Sequence, residues 1–407
     1  MSKMQSILLA RRAPMIGHLA AYAHANTLTN LIPDLYAGLD VVSRELTGFI
    51  PSVRRDSTAE RAAVGQNTRY HIAPAATVGD VAPAMAIPEP TDKTIGSDYI
   101  TISKSRQTNF GFIGEEQRGL NSGPGYLSVQ GDLFAQGLRA LVNEMEADLA
   151  LAAKLGASRA YGTSGTTPFA SGVGDAAQLR KILDDNGAPA SGRACVISTA
   201  TGANLRTNTQ LTKANEAGQT MTLTQGELVN LSGLSFKESA QAAFHTKGTA
   251  ASATTNTAGY AVGATTITLA SAGTGTIVAG DVISFAGDTN KYVVVSGDTD
   301  VSNGGTFTIA LPGLRQAIPA SATAITVSGS YTANIGFTQN AIVLATRAPE
   351  LPQEGDLALD RMMLTDPRSG MTFEVSLYPG YRKIRAEIAA AWGWKVTKAE
   401  HVGLLLG

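Results

Sequence analysis

Apolar residues from position 28 onward fall at Leu28, Leu31, Ile32, Leu35, Leu39, Val42, Leu46, Phe49 and Ile50. Steps of three and four put them on one face of a helix. Pro33 suits the first turn of a second helical segment, and Pro51 closes the run. The pattern predicts an amphipathic helical arm over 25–51 that packs on something beyond its own neighbours. A stronger pattern covers 126–157. Phe134, Leu138, Leu141, Val142, Met145, Leu149 and Ala152 form its stripe, with Glu144, Glu146 and Asp148 off it. Lys154 in the last turn and Gly156 as a stop agree with dipole and capping preferences. At about 1.5 Å per residue, this helix is over about 40 Å long.

The rest reads mostly as strands and loops. Over 52–110, Pro74, Pro83, Pro88 and Pro90 punctuate short strand-like pieces, among them Tyr70-His71-Ile72 and Tyr99-Ile100-Thr101-Ile102. That stretch is long for a connection and irregular for a domain, which predicts an extended hairpin reaching away from the body. Residues 160–173 are loop chemistry. Asp175 offers an N-cap to a short helix with Leu179, Ile182 and Leu183 inward, ended by Gly187. Cys195-Val196-Ile197 reads as a buried strand. Between 246 and 336 the chain turns to Thr, Ser, Gly and Ala. Strands are predicted at 266–269, 281–285, 291–295, 306–309 and 324–327, as in a small all-β barrel or sandwich inserted into an α/β chain. Residues 340–345 resume a buried strand, and 371–378 alternate as another.

Composition adds a constraint. Charged residues are 16% of the 407, against about 25% in an ordinary soluble domain, and the formal net charge is -1. Near-neutrality argues against a general nucleic-acid binder and against a basic membrane-surface protein. One Cys excludes an intramolecular disulfide framework, which fits a reducing compartment. No segment approaches the roughly 20 apolar residues of a membrane span. Near the start, Arg11 and Arg12 follow a short apolar run, the reverse of a secretory signal. Residues 1–24 read as a flexible extension, or as an upstream start ahead of an N-terminus near Ala25.

Candidate chemistry is sparse. His18, His24, His71, His245 and His401 are dispersed, with no pair at ligand spacing. Cys195 reads as a small buried hydrophobe rather than a nucleophile. Gly273-Thr274-Gly275 with Gly280 lacks the spacing and the following helix of a dinucleotide loop. Asp298-Thr299-Asp300-Val301-Ser302-Asn303-Gly304 echoes a calcium loop but has Ile309 where the bidentate acid belongs, so it reads as a hairpin turn. Ser164 is not in a nucleophile elbow. Glu115 and Glu116 read as a solvated turn rather than an acid/base pair. Arg54, Arg55, Arg61 and Arg69 form either a basic patch for DNA or an acidic partner, or the charge of an exposed loop. No catalytic, cofactor-binding or metal residue is assigned, no cofactor is expected, and the chain reads as no enzyme.

Four phrases carry a resemblance: Ala25-Asn26-Thr27-Leu28-Thr29-Asn30-Leu31-Ile32-Pro33, 226–234 (Gly-Glu-Leu-Val-Asn-Leu-Ser-Gly-Leu), 280–287 (Gly-Asp-Val-Ile-Ser-Phe-Ala-Gly) and 340–349 (Asn-Ala-Ile-Val-Leu-Ala-Thr-Arg-Ala-Pro). In this order the chain resembles tailed-phage major capsid proteins of the Hong Kong 97-type fold. Within them it is similar to coats of short-tailed Salmonella-type phages, which carry an inserted β-barrel. The resemblance covers about 25–407. It implies an α+β fold with an N-terminal arm (25–51), an extended loop (52–110), and a peripheral domain (111–159 and 353–407) built on a spine helix at 126–157. It also implies an axial domain (160–245 and 337–352) and an inserted barrel (246–336) that projects outward or steadies the lobe. The implied function is an icosahedral shell around double-stranded DNA, assembled in the host bacterial cytoplasm. The implied partners are copies of the chain in hexamers and pentamers, a scaffolding protein and a portal, with packaged DNA touched indirectly and no membrane. In relatives a charged loop early in the barrel contacts a neighbour. Here 252–264 holds no charge, so that role is not carried over. The other class considered is a tail tube or fibre subunit.

Overall fold

A computed structural model describes residues 46–72, 83, 94–121, 126–213, 222, 225–228, 230–365 and 371–407. Most of the predicted arm, and the middle of the predicted extended loop, lie outside them. In chain order the elements are β1 (Arg54–Ala62), β2 (Asn67–Ile72), β3 (Gly96–Thr101), β4 (Lys104–Ile113), α1 (Gly114–Asn121), α2 (Tyr126–Leu155), β5 (Arg159–Tyr161), α3 (Gly174–Asp185), β6 (Arg193–Ile197) and α4 (Thr199–Thr207). There follow β7 (Ser235–Glu238), β8 (Phe244–His245), β9 (Thr266–Leu269), β10 (Val282–Phe285), β11 (Lys291–Ser296), β12 (Gly305–Ile309), β13 (Ile325–Val327) and β14 (Tyr331–Thr338). The chain finishes with β15 (Ile342–Pro349), β16 (Asp360–Thr365), β17 (Thr372–Gly380), β18 (Lys383–Val396) and β19 (Val402–Leu406). The fold is a mixed α+β one.

Among the described residues, strands form sheets of six and eleven strands and a two-stranded hairpin, β2–β3. Strand β18 organises the smaller sheet. It pairs with β4 from Lys383↔Ile113 to Trp392↔Lys104. Its other side takes β17 along its first half and β15 along its second. Strand β1 then adds parallel to β15. Residues 54–62 and 104–110, expected in an extended loop, are thus sheet strands, and the hairpin begins beyond them. The hairpin root is docked as well: Ile100 and Ile102 are buried with Ala345 and Ala391 of the sheet.

Helix α2 lies between the two sheets. Phe134, Leu138, Leu141, Val142, Met145 and Leu149 are all buried, packed with Phe373, Ile388 and Trp392 on one side and Val196, Phe337 and Leu404 on the other. A helix enclosed on two sides needs more than one stripe, which is why Ala150 and Ala153 are buried too. Gly137 sits where the helix meets the smaller sheet; a Cβ there falls 2.8 Å from Thr108 Cγ2.

The larger sheet runs β13-β10-β11-β5-β19-β14-β6-β7, with β8, β9 and β12 paired off this path. Its β5–β7 portion is covered on both faces, by α2 and by α3 and α4. Strands covered on both faces read as continuous apolar runs. The sequences Cys195-Val196-Ile197 and Leu404-Leu405-Leu406 fit that description, and every residue of β6 and β19 is buried. Strand β19 lies in this sheet rather than with the peripheral residues 353–407, and β15 lies in the smaller sheet rather than with 160–245. Strand β14 runs through the expected boundary at 336.

The 246–330 region has its own core, including Ile267, Ile283, Tyr292, Val294, Phe307 and Ile325. Its strands β9 to β13 fall where the short runs between turn residues predict them. The pairings β9–β12, β12–β11, β11–β10 and β10–β13 are antiparallel. Segment 253–256 closes the ring, bonding to Ile325 and Thr323 on one side and to Thr268 and Ala270 on the other.

Candidate functional site

No group of three or more His, Cys, Asp or Glu suited to a metal ion occurs among the described residues. His18 and His24 lie outside them. His71 is exposed on β2, and His401 is half-buried, its pKa lowered by desolvation. Cys195 is fully buried, and that burial pushes its thiol pKa up. Ser164 Oγ accepts from the Gly329 amide at 2.9 Å. Glu115 and Glu116 stand in the first turn of α1, not in an irregular turn, and Glu116 accepts the Ile113 amide at 3.0 Å. Asp175 is not the N-cap of α3: that place is Val173's, and the Asp175 carboxylate accepts the Phe169 amide at 2.7 Å. Asp300 is occupied within its own loop, accepting Ser302 N–H at 3.1 Å and Asn303 Nδ2–H at 2.7 Å.

The four arginines do not make one patch. Arg61 pairs with buried Glu374 at 2.6 Å, a carboxylate that also holds Arg361 at 3.0 Å. Arg54 and Arg69 line a cleft of 980 Å³ with His71, Lys398 and His401, between the hairpin root and the loop at Pro189–Gly192.

Three polar centres tie the layers together. On α2, Asp148 Oδ1 takes Lys104 Nζ at 2.8 Å, and Lys104 also reaches Glu144 at 2.8 Å. At the hairpin, Asp98 accepts from Lys395 Nζ at 2.5 Å and from the Tyr70 hydroxyl at 2.6 Å. Lys395 foremost, then Tyr70, holds the Asp98 pKa down at about 2. At the neck of the 246–330 region, His245 Nε2 lies 2.9 Å from Asp281 Oδ1, and Asp281 is fully buried. Its carboxylate also accepts the amides of Gly248 (2.9 Å) and Val278 (2.8 Å). The Tyr331 hydroxyl donates to the Gly280 carbonyl at 2.7 Å. Lys154 Nζ donates to the Phe244 carbonyl at 3.3 Å, and desolvation lowers its pKa. Its role is to grip the neck from the end of α2.

The fourth centre is one that the helical stripe does not reveal. Glu146 is fully buried. Its Oε1 accepts the amides of Gly48 (2.6 Å) and Phe49 (2.7 Å), and its Oε2 that of Ile50 (3.0 Å). Desolvation pushes its pKa up, against these amides and the Ser239 hydroxyl, which favour the charged form.

Large apolar side chains are exposed at separate extremities. Val64 is exposed at the root of the hairpin, and Tyr99 and Ile95 are exposed along β3 and just before it. Leu357, Leu359 and Tyr381 stand at one end of the smaller sheet, where the Leu359 amide bonds the Leu377 carbonyl and the Tyr378 hydroxyl reaches Asp356. No helix among the described residues is long and apolar enough to cross a membrane.

No protein-family model and no curated protein matches the chain. Several solved structures are similar to it. The capsid structure of the Cyanophage P-SCSP1u is 12% identical, with a TM-score of 0.47, over 87% of this chain and 86% of that one. A Mycobacterium phage Che8 structure is 15% identical, with a TM-score of 0.43, over 84% of each chain. A virus-like particle from Pyrococcus furiosus is 10% identical, with a TM-score of 0.41, over 92% of this chain and 99% of that one.

Proposed function

We propose that this chain is the major capsid subunit of a tailed bacteriophage, self-assembling into the icosahedral shell that encloses double-stranded DNA. The observation that carries the reading is the arrangement around α2. A 30-residue helix braces two sheets, and hydrophobic side chains are exposed at distant ends of the molecule rather than around one pocket. A subunit bonded to copies on several sides needs such separated patches. Of the four sequence phrases that resemble phage coats, 280–287 and 340–349 run through β10 and β15, and 25–33 lies outside the described residues.

In the finer reading, the fold is of the Hong Kong 97 type. The arm (25–51) and the hairpin lie across neighbours, the smaller sheet with α2 is the peripheral domain, and the β5–β7 lobe is axial. The 246–330 ring is the inserted barrel. The subunit forms hexamers and pentamers, and its other partners are a scaffolding protein and a portal. Assembly takes place in the host cytoplasm, and the chain acts as a structural protein, not a catalyst. Near-neutral charge suits a shell filled with DNA, since a strongly basic wall would grip the incoming polymer. Negative-stain electron microscopy of the purified protein tests the reading. Closed shells are expected; tubes would favour a tail subunit, and small discrete particles would overturn a structural role.

A further inference from the structure

Consecutive amides that converge on one point form a nest for an anion. Here the anion belongs to the protein. The amides of Gly48, Phe49 and Ile50 close on Glu146, which comes from α2, 96 to 98 residues later in the chain. The nest is wedged between α2 and the larger sheet. Phe49 stacks on Phe337 of β14, ring centroids 6.0 Å apart and planes 7° from parallel. A Cβ on Gly48 would fall 2.5 Å from Val196 Cγ1 and 3.1 Å from the Glu238 carbonyl oxygen, so position 48 admits only glycine. Lys237 Nζ donates to the Pro51 carbonyl at 3.3 Å, and the Ser52 hydroxyl to the Gly48 carbonyl at 2.7 Å. Residues 48–53 are thereby held on every side.

A buried carboxylate is costly unless each oxygen is paired. Valine or leucine would fill the site at far smaller desolvation cost but would leave three amides orphaned. The acid is therefore matched to the turn at 48–50, not to the helix that carries it.

We infer that Glu146 is the positioning residue that fixes where the N-terminal segment leaves the body, by holding the Gly48–Ile50 amides between α2 and the larger sheet. This rests on the capsid reading for its purpose, since a segment that must reach a neighbour needs a fixed origin. It does not rest on that reading for the contact itself.

The test is amide hydrogen exchange on the full-length chain, followed by sedimentation of assembled particles. Glu146→Ala is expected to speed exchange at 48–50 roughly 10- to 100-fold, the equivalent of losing hydrogen bonds to a charged group. Exchange in β9–β13 should not change. Glu146→Gln keeps an acceptor but turns an N–H2 toward the donors, so it should speed exchange at 48–50 by a smaller factor. Unchanged protection at 48–50 in Glu146→Ala overturns the inference. Where that variant loses protection throughout α2 and both sheets, Glu146→Gln and Ser239→Ala decide: loosening confined to 46–53 supports the anchor, and loosening spread evenly refutes it. For assembly, Glu146→Gln should lower particle yield several-fold. A loosened 48–50 with full particle yield overturns the positioning role. If the unaltered chain forms no shells, the capsid reading fails while the exchange result still decides the anchor.

Discussion

Trp392 Nε1 donates to Asp148 Oδ2 at 2.9 Å, joining β18 to α2 through a fully buried indole. The other carboxylate oxygen holds Lys104 at the start of β4. One side chain of the helix thus fixes two neighbouring strands of the smaller sheet. Trp392→Phe removes the donor and part of the packing, and should cost about 1–3 kcal/mol. Trp394→Phe, at a half-buried ring, should cost less than half as much. Urea midpoints at unchanged slope check both.

Asp98 gives a pH dependence with a definite sign. Its folded pKa is lowered to about 2, chiefly by Lys395, against an ordinary value of roughly 3.9. A depressed carboxylate pKa adds stability that is present above the unfolded value and is lost as pH falls through the folded one. The hairpin root should therefore loosen between about pH 4 and about pH 2. Lys395→Ala should move the Asp98 midpoint up toward about 3.9 in a carboxyl NMR titration.

Asp281 is the acceptor for two amides and His245 at the neck. Asp281→Ala orphans both amides and should cost roughly 2–5 kcal/mol, with the loss centred on the 246–330 strands. Asp281→Asn retains an acceptor and should lose less. Exchange rates of the β10 and β11 amides separate this local effect from general unfolding.

Cys195 should resist maleimide in the native protein and react once urea opens the lobe, because its thiol is buried and its pKa pushed up. Cys195→Ser places a hydroxyl among Leu179, Ile197 and Leu405 and should cost about 1–3 kcal/mol.

Much of this was written in the residue pattern. The 126–157 stripe predicts α2 within two residues, and the short Thr-rich and apolar runs separated by turn residues predict β9 through β13. Strands β18 and β19 did not announce themselves. The alternation of β18 is blurred by Ala389, Ala390 and Ala391, all buried, and β19 is a five-residue apolar run with no period. Glu146 shows the limit of reading a helix by one stripe. Counted from the stripe at Phe134, Leu138 and Leu141 it lies to one side. Counted from its own neighbours it does not: Val142 and Ala150, four residues either way, and Leu149, three on, are all buried. An acid framed like that is a sequence signal for a buried carboxylate, though its partners at 48–50 are visible only in three dimensions. Asp175 failed as an N-cap for a related reason, since its carboxylate bonds an amide in the preceding loop rather than one in its own helix.

Strand β19 sits inside the larger sheet, parallel to β5 and antiparallel to β14. The Ser158 hydroxyl beside β5 donates to the Val402 carbonyl across 244 positions of sequence. During synthesis, therefore, β5 and α2 leave the ribosome long before the strand that completes their sheet. Val196 and Phe337 cover part of that side of α2 earlier, but the share that Leu404 covers stays open until β19 emerges, and pairing at such separation is slow. The lobe is consequently expected to fold late, complete only once translation has passed β19.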